Sequence, residues 1–384
     1  MDHRSTIALY IFVILWAVTW GRLAQKKRVS RESAVVRTVT NGSFFVIALV
    51  VPWFFLSFSN IGVDYEHYYD IIRKVTWTDY ADYFTWEPFF LLMSVFFKTL
   101  CNGNPDMVIF IYKTITLALM GYSIYLIRND VKLWMSIMAY MMLYYFASFY
   151  LIAMCLACSI VSFAVVLWLK RGIFIIPLAL ILIAGQIHNS MYLFLPVFIV
   201  GVYLKNSTKE NTLKICLITL SFIAAGILSM VIFNWAIGNI ESFHYEGYTD
   251  GYKEGGGAMF FLHFGTLFFL IYEYYTINKE LSDKIRFFFI FALGSALFYG
   301  MAYTFRVIGR MEFALITLYI IFMPLMFNKT IDKFKFKKIG KYQIINFICF
   351  LYVFCLGYDE VTVRIVDKDT PGLGRWIFFM PFEF

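Results

Sequence analysis

Carboxylates, tyrosines and a histidine lie close together in "NIGVDYEHYYDIIRK", residues 60–74, directly after an apolar run. Carboxylates accept hydrogen bonds from sugar hydroxyls, and aromatic faces can stack on the C–H faces of a sugar ring. Asp64 is therefore a candidate catalytic or binding carboxylate, and Tyr65 and Tyr68 are candidate substrate-binding residues. The alternative is a belt of interfacial tyrosines beside solvated acids.

Glu87 and His188 are two further candidates for proton transfer. Glu87 precedes Pro88 in "EPFFLL", where it could cap a helix N-terminus or act as a general base. His188, in "GQIHNSMYLFLP", could be a base, contact a phosphate, or be a satisfied polar side chain. It ranks first as the base because an unperturbed histidine titrates near neutral pH. We expect His188, Glu87 and Asp64 to surround one acceptor hydroxyl.

Arg306 and Arg310 in "TFRVIGRMEF" have the spacing of one helix face. Two guanidinium groups there could clamp a diphosphate, and the alternative is snorkelling or pairing with nearby acids. Lys113 lies within an apolar span and could pair with an acid or join the clamp. His244 and Tyr248, in "GNIESFHYEGYTDGYKEGGGA", are additional candidate substrate-binding residues.

The chain surrounding these residues is too apolar for a soluble protein. Hydrophobic residues make up 61% of it, aromatic residues 21% and charged residues 15%. A bilayer can solvate such a surface, and helices satisfy their own backbone polar groups in lipid. We therefore predict an all-α polytopic membrane protein, one domain over 1–384 with about 12 spans. The candidate spans are 6–20, 43–59, 107–127, 132–150, 152–169, 173–187, 190–204, 213–237, 259–277, 287–304, 312–327 and 342–357.

The distribution of lysine and arginine predicts the orientation. The basic clusters "RLAQKKRVSRESAVVR" and "NKTIDKFKFKKIGK" are placed in the cytoplasm, which puts both termini outside. This threading requires Glu87–Leu100 to be an interfacial or re-entrant helix that does not cross. The outer segments are then the loops 60–86 and 238–258 and the tail 358–384. The net charge of +8 reflects this topology and indicates no nucleic-acid partner.

The cysteines predict no metal site. Cys155 and Cys158 form a CxxC in an apolar stretch, but no second pair accompanies them, as a zinc site requires. The sequence also contains no Gly-rich phosphate loop. We expect neither a metal nor a cofactor.

Several motifs together resemble the EpsG/Wzy-type family of membrane polysaccharide polymerases. "GVDYEHYYD" is similar to that family's G-T-D-Y-x-x-Y element, and "EPFFLL" follows it at a suitable distance. "IAGQIHNSMYLFLP" is similar to an A-x-x-x-H-x-S-A-x-x-x-x-x-P element, and "GRMEFALITLYIIFMP" and "FFMPF" come later. The chain departs from the pattern at Ala153 and Met154, where the family usually has Arg-Gln, and at Phe313, where tyrosine is common.

The resemblance implies glycosyl transfer on the outer face of a bacterial inner membrane. An undecaprenyl-diphosphate-linked glycan would be transferred to a hydroxyl of another lipid-linked repeat unit. The implied partners are these lipid-linked units, the bilayer and a chain-length regulator. A lipid-linked oligosaccharide transporter (flippase), a membrane acyltransferase and a structural scaffold are the alternatives. The transporter would need more charge within its spans, and the acyl donor of an acyltransferase would enter from inside.

Overall fold

A computed structural model describes residues 3–25, 34–60, 64–78, 87–206, 291–299 and 313–324. These residues form helices joined by turns, with no β-strand element among them, which confirms the predicted fold class for this part of the chain. They fall into two compact units. One contains the described residues up to Tyr192 and from Tyr319 onward, and the other contains those from Leu193 to Leu318. The single domain over 1–384 stays a prediction.

Among the described residues, eight α-helices precede the boundary at Tyr192. Each is predominantly apolar except α3, which presents a polar face. They are α1 His3–Leu23, α2 Ala34–Ser57, α3 Tyr65–Lys74, α4 Pro88–Leu100, α5 Pro105–Leu126, α6 Leu133–Leu143, α7 Ile152–Arg171 and α8 Ile175–Ile187. In the other unit, α9 spans Phe194–Asn206, and the rings of Phe194 and Phe291 pack at a tilt with their centroids 5.7 Å apart.

Three of the described helical segments are long and apolar enough to cross a membrane. They are Val39–Ser57 in α2, Pro105–Leu126 in α5 and Ile152–Arg171 in α7. α5 packs against both α2 and α7, and α7 packs against α8. The chain is therefore a helical membrane protein, whereas the total of about 12 spans stays a prediction.

The expectation of one helix over the candidate span 132–150 is wrong, because the helix breaks at Tyr144; whether the segment crosses the membrane stays a prediction. α6 ends at Leu143, Tyr144 adopts φ −134° and ψ −30°, and a short 3-10 helix follows at Ala147–Phe149. The Tyr145 hydroxyl donates to the carbonyl oxygen of Pro52 in α2 at 2.8 Å. Irregular backbone is tolerated at membrane depth when protein surrounds it, and residues 133–149 are buried apart from Trp134.

α3 and α4 pack against each other through a small apolar core. Val75, Leu91 and Val95 are buried there, and Ile71 packs on them. The predicted helix over Glu87–Leu100 is confirmed as α4, which has 13 residues. At 1.5 Å per residue it is about 20 Å long, shorter than the roughly 30 Å apolar core of a bilayer. Its interfacial placement stays a prediction.

Candidate active site

α4 and α8 bring two of the three predicted catalytic residues together. These helices pack against each other, and Oε1 of Glu87 lies 3.8 Å from Nε2 of His188. The side chains are 28% and 13% exposed, so a ligand can reach both. The two residues come from distant motifs of the sequence, and the packing of α4 on α8 is what joins them.

Glu87 is held at the N-terminal end of α4 by its backbone. Pro88 occupies the first turn, where its missing N–H costs nothing, and the Leu91 N–H bonds to the Glu87 carbonyl at 3.2 Å. The Glu87 side chain makes no capping hydrogen bond. A side-chain capping hydrogen bond is therefore not formed in this structure, and Oε1 of Glu87 faces Nε2 of His188 instead. Stabilisation of the carboxylate by the helix dipole, the other part of that alternative, stays a prediction.

His188 is placed by the end of α8. It adopts an extended conformation at φ −150° and ψ 119°, while its N–H still bonds to the Ala184 carbonyl. Its Nδ1 accepts the backbone N–H of Ser190 at 3.3 Å, and the Ser190 hydroxyl lies 2.7 Å from the same nitrogen. The sequence reasoning did not assign Ser190 to the site. The available signals were the H-x-S part of the motif, in which Ser190 is the serine, and its position two residues beyond a histidine that ends a helix.

The turn that carries His188 is fixed by a close approach between Gly185 and Tyr192. A Cβ on Gly185 would lie 2.5 Å from the Tyr192 ring, so only glycine fits without movement. Gln186 Nε2 also donates to the Tyr192 hydroxyl. Gly185 and Tyr192 thus determine the course of the chain around His188. Sequence reasoning did not identify this contact.

Asp64, the third predicted catalytic residue, directly precedes α3. Its carbonyl accepts the Tyr68 N–H at 3.1 Å, and its side chain makes no capping hydrogen bond. Tyr68 packs edge-on against Phe90 of α4, with ring centroids 5.5 Å apart. Among the contacts described for this part of the chain, none joins Asp64 to the pair on α4 and α8. A site shared by all three residues stays a prediction, as does the substrate-binding role of Tyr68.

Tyr65 connects α3 to α5 through Asp106. The tyrosine is buried, and its hydroxyl donates to Oδ1 of Asp106 at 2.5 Å. Burial raises the pKa of the Tyr65 hydroxyl well above its usual value, and the hydrogen bond to Asp106 raises that pKa further. The phenol therefore stays a neutral donor, and in this structure it binds a neighbouring helix.

Lys113 is fully enclosed between helices and donates to the chain that follows α2. Its Nζ donates to the Ser59 carbonyl at 2.7 Å and lies 5.2 Å from the centre of the Tyr65 ring. The Phe149 ring is on another side, 5.7 Å away. Binding of a substrate by Lys113 would require these elements to separate. The predicted substrate contacts of Lys113 and Tyr65 stay predictions, and a structural role is what the contacts show.

The remaining predicted binding residues, Arg306, Arg310, His244 and Tyr248, lie outside the described residues. Within the described ranges, no group of three or more His, Cys, Asp or Glu side chains could hold a metal ion. Ala153 and Met154, which stand where the family usually has Arg-Gln, are buried in the first turn of α7.

An apolar groove lies between α2 and α5, with a cavity volume of about 490 Å³. Several of its lining side chains are exposed, among them Val46, Val50 and Tyr122. At one end the Trp53 indole N–H donates to the Thr114 hydroxyl at 3.1 Å. The groove is lined by Gly42, Phe45, Val46, Leu49, Val50, Trp53, Thr114, Leu117, Ala118, Tyr122 and Tyr125.

Comparison with family models found a match to the EpsG family over residues 43–367. The matched range includes α4, α8 and the Glu87–His188 pair. Comparison with curated proteins found no match, and comparison with solved structures found none either.

Proposed function

Because this chain belongs to the EpsG family, we propose that it is a membrane glycosyltransferase of the polysaccharide-polymerase type. It would extend an exopolysaccharide, capsule or O-antigen on the outer face of the bacterial inner membrane. The donor would be a glycan on undecaprenyl diphosphate, and the acceptor a hydroxyl of another lipid-linked repeat unit. A chain-length regulator would be a further partner.

The proposed reaction needs a base at the acceptor and positive charge at the leaving group. The departing lipid diphosphate carries developing negative charge, which cationic side chains can stabilise without a metal. Arg306 and Arg310 are proposed for that task because their spacing predicts one helix face, from which two guanidinium groups could bind a diphosphate bidentately.

The distance of 3.8 Å between Oε1 of Glu87 and Nε2 of His188 is the observation that carries the proposal. A hydroxyl oxygen can lie about 2.8 Å from both Oε1 and Nε2 if the three atoms form a triangle. A hydroxyl both donates and accepts, so it can satisfy a carboxylate and an imidazole at once. The pair thus suits the acceptor alcohol of a glycosyl transfer.

The groove between α2 and α5 suits the lipid part of such a substrate. Its lining is predominantly apolar, and Trp53 and Thr114 provide a polar end. Polyprenyl chains partition into apolar surroundings, so we place the lipid tail of one substrate in this groove.

Deletion and complementation test the proposed function. A host lacking this gene should accumulate single repeat units on the lipid diphosphate and make no long polymer, and the wild-type chain should restore the polymer. A variant carrying Arg306→Ala and Arg310→Ala should fail to restore it at normal protein level. Long polymer in the deleted host would contradict the proposal, and accumulation of units on the cytoplasmic face would indicate the transporter.

A further inference from the structure

We infer that Glu87, rather than His188, removes the proton of the acceptor hydroxyl. Ser190 is then a positioning residue that fixes which nitrogen of His188 carries a proton. The inference rests on the proposed glycosyl transfer and assigns the chemical roles within its site. The sequence alone ranked His188 first, because an isolated histidine is the better base near neutral pH. The contacts in the structure reverse that order.

The contacts at Nδ1 of His188 determine the tautomer. The Ser190 backbone N–H, 3.3 Å away, can only donate, so Nδ1 must present its lone pair to it. The histidine thereby acts like the N-terminal cap of the 3-10 helix Asn189–Leu193. In a neutral imidazole the single proton must then be on Nε2, the nitrogen that faces Glu87.

The Ser190 hydroxyl strengthens this arrangement. It lies 2.7 Å from Nδ1, and once that nitrogen is an acceptor the hydroxyl must be the donor. The backbone N–H and the hydroxyl of Ser190 therefore both donate to the lone pair of Nδ1. An imidazole held in this way offers Nε2–H as a donor and has no second lone pair for an incoming proton.

The carboxylate of Glu87 is the complementary group, because an ionised carboxylate only accepts hydrogen bonds. The N-terminal end of α4 favours its negative charge. An acceptor hydroxyl between the two residues would accept from Nε2–H of His188 and donate to Oε1 of Glu87. The reverse orientation would place Nε2–H against the hydroxyl hydrogen.

The transfer step balances with these roles. One oxygen lone pair of the acceptor hydroxyl forms a bond to the anomeric carbon of the donor glycan. The bond from that carbon to the diphosphate oxygen breaks, and its electron pair leaves with the lipid diphosphate. The hydroxyl proton passes to Oε1 of Glu87 and is later released to solvent. His188 holds the second lone pair of the attacking oxygen and keeps its own proton.

Substitutions by glutamine separate the two candidate bases. Wild-type and variant membranes would receive lipid-diphosphate-linked single repeat units extracted from a host that lacks the polymerase gene. Glu87→Gln should lower kcat by about 10²–10⁴-fold, the usual contribution of a general base. His188→Gln keeps an N–H donor near the position of Nε2, so kcat should stay within about tenfold of wild type. Added formate should restore part of the activity of Glu87→Ala, since it replaces the lost carboxylate.

Ser190 is tested by coupling to His188. Ser190→Ala should lower kcat severalfold, whereas Ser190→Thr, which keeps the hydroxyl, should have kcat near that of wild type. In a protein that already carries His188→Gln, Ser190→Ala should cause no further loss of kcat. An equal loss in both backgrounds would overturn the positioning role. A 10²–10⁴-fold loss in His188→Gln, with Glu87→Gln nearly unaffected, would make His188 the base. These patterns concern the roles alone, whereas wild-type membranes that form no polymer would contradict the proposed function itself.

Discussion

The polar residues near Lys113 show that a motif resembling a binding site can hold helices together. Tyr65 bonds to Asp106, and its ring faces the Lys113 amine. Lys113 in turn donates to Ser59. These contacts bind the chain after α2 and the first residue of α3 to α5. We expect substitutions here to affect stability before they affect chemistry.

Tyr65→Phe should lower the free energy of unfolding by about 1–2 kcal/mol, because it removes the donor to Asp106 and keeps the ring. The folded protein holds the pKa of Tyr65 above that of the unfolded chain. The stability that the neutral Tyr65 hydroxyl contributes is therefore present below about pH 10, and it is lost as pH rises above that value. Thermal unfolding in detergent measures this difference. Tyr122→Phe, at an exposed tyrosine of α5, is the control and should change nothing.

Gly185→Ala should disturb the turn that carries His188. The new Cβ would lie 2.5 Å from the Tyr192 ring, and overpacking of this kind costs about 1–3 kcal/mol. We expect reduced polymer yield and a lower melting temperature. Gly42→Ala is the matched control for the melting temperature, since its nearest neighbour would be 3.5 Å away.

A double variant separates the Gly185 clash from other effects of the substitution. If the ring contact is the cause, Gly185→Ala should cost little more in a Tyr192→Ala background than Tyr192→Ala alone. The full loss in that background would show that the close approach is not the reason for the glycine.

α4 carries Glu87 at its N-terminal end, and Lys98 near its C-terminal end binds α4 to α3. The Lys98 amine donates to the carbonyls of Arg73 at 2.5 Å and of Val75 at 2.9 Å. A cation at this place satisfies carbonyls that the helix end leaves unpaired and complements the helix dipole. Sequence reasoning did not assign this contact to Lys98.

Lys98→Met should loosen the C-terminal turn of α3 while keeping the apolar stem of the side chain. Hydrogen exchange should become faster at residues 73–76 in this variant. Lys74→Met, at the exposed last residue of α3, should leave exchange there nearly unchanged. Equal protection in the two variants would contradict the role given to Lys98.

The elements differ in how far the sequence predicts them. Glu-Pro before an apolar run indicated the start of α4, since proline suits a first helical turn. Hydropathy identified the spans in α2, α5 and α7, because their apolar runs have the length that a bilayer requires. The break at Tyr144 was not predictable, since hydropathy is continuous there and the stabilising bond goes to Pro52 on another helix. The same limit applies to Ser190, whose role depends on ring orientation.

The whole molecule is predicted to present its chemistry on the outer side of the membrane. A reporter fused at Lys335 should be active in the cytoplasm, because the basic cluster around it belongs there. A cysteine label at Asn104 should react from the outside if α4 does not cross. A periplasmic Lys335 would contradict the orientation, and a cytoplasmic Asn104 would contradict the interfacial placement of α4.

The central claim is that this chain itself joins glycans by displacing a lipid diphosphate at a site containing Glu87. The most direct test counts two products of purified full-length protein in lipid nanodiscs supplied with lipid-diphosphate-linked single repeat units. We predict one polyprenyl diphosphate released for each glycosidic bond formed, with both products reduced by about 10²–10⁴-fold in folded Glu87→Gln. Wild-type protein that forms no glycosidic bond, or folded Glu87→Gln that forms both products at the wild-type rate, would contradict the claim.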